Sequence, residues 1–156
     1  MQLVVWQKAL ELFELVWKIV FTENNIDFKL RTQIVDAAQS VSANIAEGYG
    51  RRHLNEYIQF LYYALGSLAE TMTRAIGLKE IKQIPETWFR DFNVLHYETE
   101  NRLLHLIAKL EQKRGDEDWV AGIAEDPEEY VISPSLQDSI TPPLHHSNTP
   151  SLQLHA

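Results

Sequence analysis

The chain contains no cysteine. No disulfide framework and no thiolate metal ligand can therefore be built, and the expected setting is a reducing cytoplasm. Proline is almost missing from the first two thirds, where Pro85 stands alone while the other five follow Arg114. Long segments are thus free to run as unbroken helix. Positive charge is missing from the C-terminal end, since all 14 Lys and Arg fall within residues 1 to 114. A long hydrophobic run is missing too: Gln7, Lys8, Glu11, Glu14 and Lys18 interrupt the most apolar stretch, residues 3 to 21. Neither a membrane span nor a signal-type segment fits that stretch, so a soluble protein with no membrane partner is expected.

The formal charge of -8 is unevenly placed. Residues 1 to 114 carry 14 acidic against 14 basic groups, and the remaining eight acidic groups all lie beyond Arg114. A neutral body with an acidic tail lacks the basic excess that phosphate contacts usually demand, although local basic patches remain compatible with it.

The apolar pattern has helical period. Trp6, Leu10, Phe13, Trp17 and Val20 form one stripe, and Val5, Ala9, Leu12, Val16 and Ile19 form a second beside it. The spacing predicts a first helix over Val4 to Phe21 whose apolar face is broad enough for contact with two neighbouring helices of a bundle or with a second subunit, and broader than one monomer core needs. Asp27 is placed to cap a second helix, predicted to run to Glu47 with Leu30, Ile34, Ala38, Val41 and Ile45 inward. Gly48 is suited to a left-handed helix end, and Gly50 loosens the turn after it. A third helix is predicted over Leu54 to Ile76, with Leu54, Ile58, Leu61, Leu65, Leu68 and Met72 on one face and Gly77 as its end. Pro85 suits the first turn of a fourth, which reaches Lys113 with Phe89, Phe92, Leu103, Leu106 and Leu110 inward. No strand-like alternation competes. The fold class expected is all-α, an antiparallel up-and-down four-helix bundle over residues 1 to 114.

Residues 115 to 156 differ. From Ser135 an eight-residue unit repeats, Ser-Leu-Gln-Asp-Ser-Ile-Thr-Pro and then Pro-Leu-His-His-Ser-Asn-Thr-Pro. Such composition cannot offset the entropy of ordering, so a largely disordered tail is expected, with a short docked helix around Trp119, Val120 and Ile123 as an alternative over residues 117 to 132.

Few residues suggest chemistry. Gly48, Tyr49, Gly50, Arg51 and Arg52 before a helix start could cradle a phosphate, but no Walker-type lysine follows and a plain turn is the preferred reading. His96 and His105 are nine residues apart, a rotation of about 900° that turns them to opposite sides of one helix. No Glu-x-x-His pair is present for a di-iron site, and His145-His146 falls in the tail. Gly66-Ser67 lacks the following glycine of a nucleophile elbow. No metal, cofactor, catalytic residue or small-molecule substrate is therefore expected. Asn44, Glu47 and Arg51 share one helix face, and Glu70 with Arg74 forms a similar pair. Together with Gly48, Gly50, Gly66 and Ser67 they are read as a structural turn and polar network rather than a reactive site. Phe60, Tyr62 and Tyr63 could stack bases, but core and interface are the preferred roles. A turn centred on Arg51 or Arg52 makes antiparallel partners sum to about 103 or 104, which sets Ala37 and Ala38 opposite Gly66 and Ser67 in a close crossing that Leu at position 66 would overpack.

The run Asn44-Ile45-Ala46-Glu47-Gly48-Tyr49-Gly50-Arg51, with Ala64-Leu65-Gly66-Ser67-Leu68-Ala69-Glu70 and Val5-Trp6-Gln7-Lys8-Ala9, resembles the bacterial four-helix bundle proteins encoded in intervening sequences of 23S ribosomal RNA genes. The resemblance covers about residues 3 to 113. That family is similar to the accessory variability protein of diversity-generating retroelements, a barrel-shaped homopentamer that binds nucleic acid and a reverse transcriptase. The resemblance implies an up-and-down bundle, a ring of five subunits and no catalytic activity. His53-Leu54 stands where the family has Ser-Pro opening the third helix, and the neutral helical domain departs from the strongly basic retroelement relatives. The expected role is a non-enzymatic, self-associating scaffold or accessory protein. The alternative is an RNA- or DNA-binding accessory protein that acts with ribosomal RNA or a reverse transcriptase through Arg51, Arg52, Lys109, Lys113 and Arg114.

Overall fold

The computed structural model describes residues 3–22, 26–51 and 53–114. It contains four helices: α1 (Val4–Thr22), α2 (Phe28–Gly50), α3 (Leu54–Glu80) and α4 (Glu86–Gln112). There is no strand among the described residues. Arg52, the expected disordered tail with its domain boundary, and the alternative docked helix over 117 to 132 lie outside the described residues.

Several helix ends have a local cause. Asp27 caps α2, its carboxylate accepting from Lys29 N at 2.9 Å and Leu30 N at 3.3 Å. Pro85 stands at the N-cap of α4, where its missing amide costs nothing. His53 occupies the N-cap of α3 without a side-chain cap bond. The end of α3 differs from expectation. The helix passes Gly77 and stops at Glu80, and Lys82 takes a left-handed φ of 57°. Lys82 N then donates to Lys79 O at 2.9 Å, and Gln83 N donates to Leu78 O at 2.9 Å, which satisfies the last carbonyls.

The helices pack around a square, α1 against α2 and α4, and α3 against the same two. Cross-helix contacts fix the directions. Trp88 Nε1 on α4 donates to Leu15 O on α1 at 3.2 Å, and Lys8 on α1 lies 3.5 Å from Glu98 further along α4. Residue numbers fall on one helix as they rise on the other, so this pair is antiparallel. The same holds for Lys79 with Glu86 and Tyr62 with Glu111 between α3 and α4.

Of the two apolar stripes on α1, the one that fills the core is Val5, Ala9, Leu12, Val16 and Ile19, joined by Val20 from the other. Trp6, Phe13, Leu10 and Trp17 stand at its margin, half-buried or exposed. On α3, Ile58, Leu61 and Leu68 are buried as expected, but Leu54, Leu65 and Met72 lie only against the edge of the core. Tyr57, Ala64 and Ala75 take their place. On α4, Phe92, Leu103, Leu106 and Leu110 are buried as expected, while Phe89 is half-buried.

The α2–α3 hairpin corrects the expected register. Asn44 meets Ser67, and Gln33 meets Arg74. These pairs set Ala37 and Ala38 at about the level of Thr71 rather than Gly66. Gly66 is exposed, and a Cβ built on it would touch nothing within 4 Å. The close crossing lies instead at Gly48, where a Cβ would fall 2.8 Å from both Phe60 Cβ and Tyr57 Cδ2. Gly48 does not end the helix in a left-handed turn; α2 continues through it to Gly50, and Arg51 is extended. Its requirement is for space, not for an unusual φ.

His96 is buried in the core beside the rings of Phe92 and Tyr97, and its Nδ1 has no hydrogen-bond partner. Burial lowers its pKa from 6.5 to about 4.

Two predictions follow from this packing. Gly48→Ala should destabilise the fold by about 1 to 3 kcal/mol through overpacking against Tyr57 and Phe60, whereas Gly66→Ala should stabilise it by up to about 1 kcal/mol through helix propensity alone. Urea titration of the two variants checks both signs; equal effects would overturn the register described above. Between pH 4 and 6.5 the unfolded chain binds a proton at position 96 that the folded chain refuses, so stability should fall as pH drops through that window. The loss should approach roughly 3 kcal/mol. Glu100, whose carboxyl is pushed up by partial burial, acts in the opposite sense in both proteins compared. His96→Leu should therefore flatten the difference in urea midpoint between pH 4 and pH 7, and an unchanged slope would show that His96 is not the group responsible.

Candidate functional site

The polar residues singled out in the sequence line the seam between α2 and α3, where they separate into three levels. In the middle, Asn44 Nδ2 donates to Ser40 O at 2.8 Å and to Ser67 Oγ at 3.4 Å, while Ser67 Oγ donates to Tyr63 O at 3.1 Å. Toward the α1–α2 end, Arg74 Nε donates to Glu70 Oε1 at 3.0 Å and Nη1 donates to Gln33 Oε1 at 2.8 Å. At the α2–α3 turn, Arg51 pairs with Glu47, lies 3.7 Å from Glu56 and rests 4.8 Å over the Phe60 ring. Gly66 and Gly50 take no part in these contacts; both are exposed. Ser67 Oγ is held between the Tyr63 carbonyl and the Asn44 amide. Exposed pairs of this kind contribute about 0 to 1 kcal/mol each and serve register more than stability.

The basic residues gather at the same end of the bundle. Arg114 Nε donates to Asn55 Oδ1 at 3.1 Å in the first turn of α3, one residue from the Glu56 that faces Arg51. Lys109 and Lys113 close α4 nearby. Acidic groups interleave with them, and Glu111 accepts from Tyr62 OH at 3.0 Å, which raises the phenol pKa. His96 is buried and His105 exposed, so they are not on a shared side of α4. Among the described residues, no three His, Asp or Glu side chains converge as a metal site.

The feature that stands out is apolar. Phe13, Trp17 and Phe21 form a row of rings along the outside of α1, with centroids 5.9 Å and 4.3 Å apart. Arg31 of α2 lies 5.5 Å over Phe21 at its end. Trp17 is 47% exposed, and Phe28, in the first turn of α2, 76%. The doubled stripe on α1 signalled surplus apolar surface. It did not show that the aromatic stripe was the outer one, because both have the same period.

Comparison with known proteins agrees with this architecture. No helix among the described residues is long and apolar enough to cross a membrane. No curated protein matches the chain. A crystal structure from Bacteroides thetaiotaomicron, described as a protein of unknown function from the S23 ribosomal protein family, superposes with a TM-score of 0.62 at 25% identity, covering 67% of this chain and 98% of the other. The 23S rRNA-intervening sequence protein family matches residues 1–105. The chain belongs to the 23S rRNA-intervening sequence protein family.

Proposed function

We propose that the protein is a non-enzymatic, self-associating four-helix scaffold or accessory protein of the cytoplasm, assembled as a homopentamer. The observation that carries self-association is the exposed aromatic row of α1. Large aromatic side chains left in water side by side mark an interaction surface more often than chance exposure does. The number five rests on the family's resemblance to the retroelement accessory protein. A scaffold needs rigid geometry and a repeating contact, and neither a cofactor nor a reactive side chain.

A second reading has one observation in its favour: Arg51 and Arg114 flank the same turn of α3, as a nucleic-acid contact with ribosomal RNA would want. Their acidic and amide partners count against it, since a phosphate must displace them.

Light scattering at micromolar concentration should give about five times the chain mass of 18.1 kDa. A monomer would sink the scaffold reading, and a dimer would remove only the stoichiometry. Binding to a 23S ribosomal RNA fragment should be weak and nearly independent of salt; an affinity that falls steeply between roughly 50 and 200 mM salt would promote the second reading over the first.

A further inference from the structure

The exposed apolar side chains are distributed in a way that self-association alone does not require. Helix geometry, at about 100° per residue, sorts them by face. Leu10, Trp17 and Phe21 of α1 and Phe28 of α2 share the outer face made by those two helices. Tyr62 and Ile76 of α3 and Tyr97 and Leu104 of α4 share the outer face made by the other two. In a square bundle these two faces are opposite one another. The two faces between them are polar: the α2–α3 seam carries the Asn44, Glu70 and Arg74 contacts, and the α1–α4 seam carries Lys8, Glu98 and Arg102. Of the other exposed large apolar residues described, Tyr49 lies at the α2–α3 turn, Ile81 follows α3, and Tyr63 and Val94 fall toward the polar seams.

We infer that copies of the chain join by setting the α1/α2 face of one against the α3/α4 face of the next. The inference rests on the self-association reading and adds the surfaces that meet. Pairing either face with itself would leave the opposite face in water, whereas face-to-opposite-face contact covers both and repeats from copy to copy. Charge agrees. The α3/α4 face carries the carboxylates of Glu100 and Glu111, which a self-paired contact would bring together. On the α1/α2 face the charges are held within the chain: Arg31 lies against Phe21 and is bonded to Ile26 O at 3.2 Å, and Glu14, in the same row as Leu10 and Trp17, pairs with Lys18 at 2.7 Å. Area agrees as well. Two adjacent helices present roughly 20 by 30 Å, or about 600 Å² per partner and about 1,200 Å² in all, which reaches the lower bound of stable interfaces. A contact of this heterologous kind closes into a ring when the rotation between neighbours divides a full turn.

The test uses Trp17→Glu and Leu104→Glu, both at exposed positions, with circular dichroism to show that each remains helical; Phe28→Glu and Ile76→Glu supply a second pair on the same two faces. Each variant alone should run as a monomer in light scattering, because every copy carries the same spoiled face. A one-to-one mixture at tens of micromolar should instead give a dimer of twice the chain mass, since one partner retains each intact face and the assembly stops after a single contact. An oligomer that survives Leu104→Glu but not Trp17→Glu would overturn the inference in favour of a self-paired α1/α2 face. A mixture that stays monomeric would overturn it too. A monomeric unmodified chain would fell the self-association reading itself, which is a separate and distinguishable result.

Discussion

The approach of α2 to α3 at Gly48 sets the rest of the bundle. A Cβ there would fall 2.8 Å from Tyr57 Cδ2 and Phe60 Cβ, so one of them would have to give way. Tyr57 is among the largest side chains with no exposure, and packing it against a glycine lets the two helices start their hairpin at close range. From that contact the register runs outward: Asn44 to Ser67, then Gln33 to Arg74. The same register turns Gly66 to solvent and brings Arg51 beside Glu56. A hairpin begun one residue out of step would rotate α3 by about 100° and present a different stripe to α4.

Much of this was legible in the residues because helical periodicity is a local property. The four helices, the Asp27 cap and the break before Pro85 all follow from spacing and from side chains acting on their own neighbourhood. What depended on tertiary geometry was not legible. Two apolar stripes ran side by side on α1, and period alone does not say which one meets the core. Gly48 looked like a helix terminator, yet its use is the absence of a side chain beside Tyr57, a contact made across the turn that sequence spacing does not show. Gly77 looked like the end of α3, but the helix ends where the chain can satisfy its last carbonyls, and Lys82 accepts the left-handed conformation to do so. The burial of His96 gave no signal, since a lone histidine on a helix carries no mark of its surroundings.

The polar network and the apolar faces divide the surface between them. Paired side chains such as Arg74 with Glu70, or Lys8 with Glu11 and Glu98, hold their charges against partners on the same molecule. That arrangement leaves the α1 aromatic row as the surface with most to gain from a partner. The neutral charge of residues 1 to 114 keeps electrostatic attraction to RNA modest.

The seam between α1 and α4 has a kinetic meaning. The other three helix pairs join elements consecutive in the chain, but Trp88 reaches Leu15 across 73 residues. Loop-closure entropy grows with that separation, so the three local hairpins can form early and the first helix must be captured by the last. One indole N–H on one backbone carbonyl, one lysine between two glutamates and the apolar contact around them hold the closure. The edge at which the bundle closes is therefore also the edge at which it opens with the least disturbance to the remaining three helices.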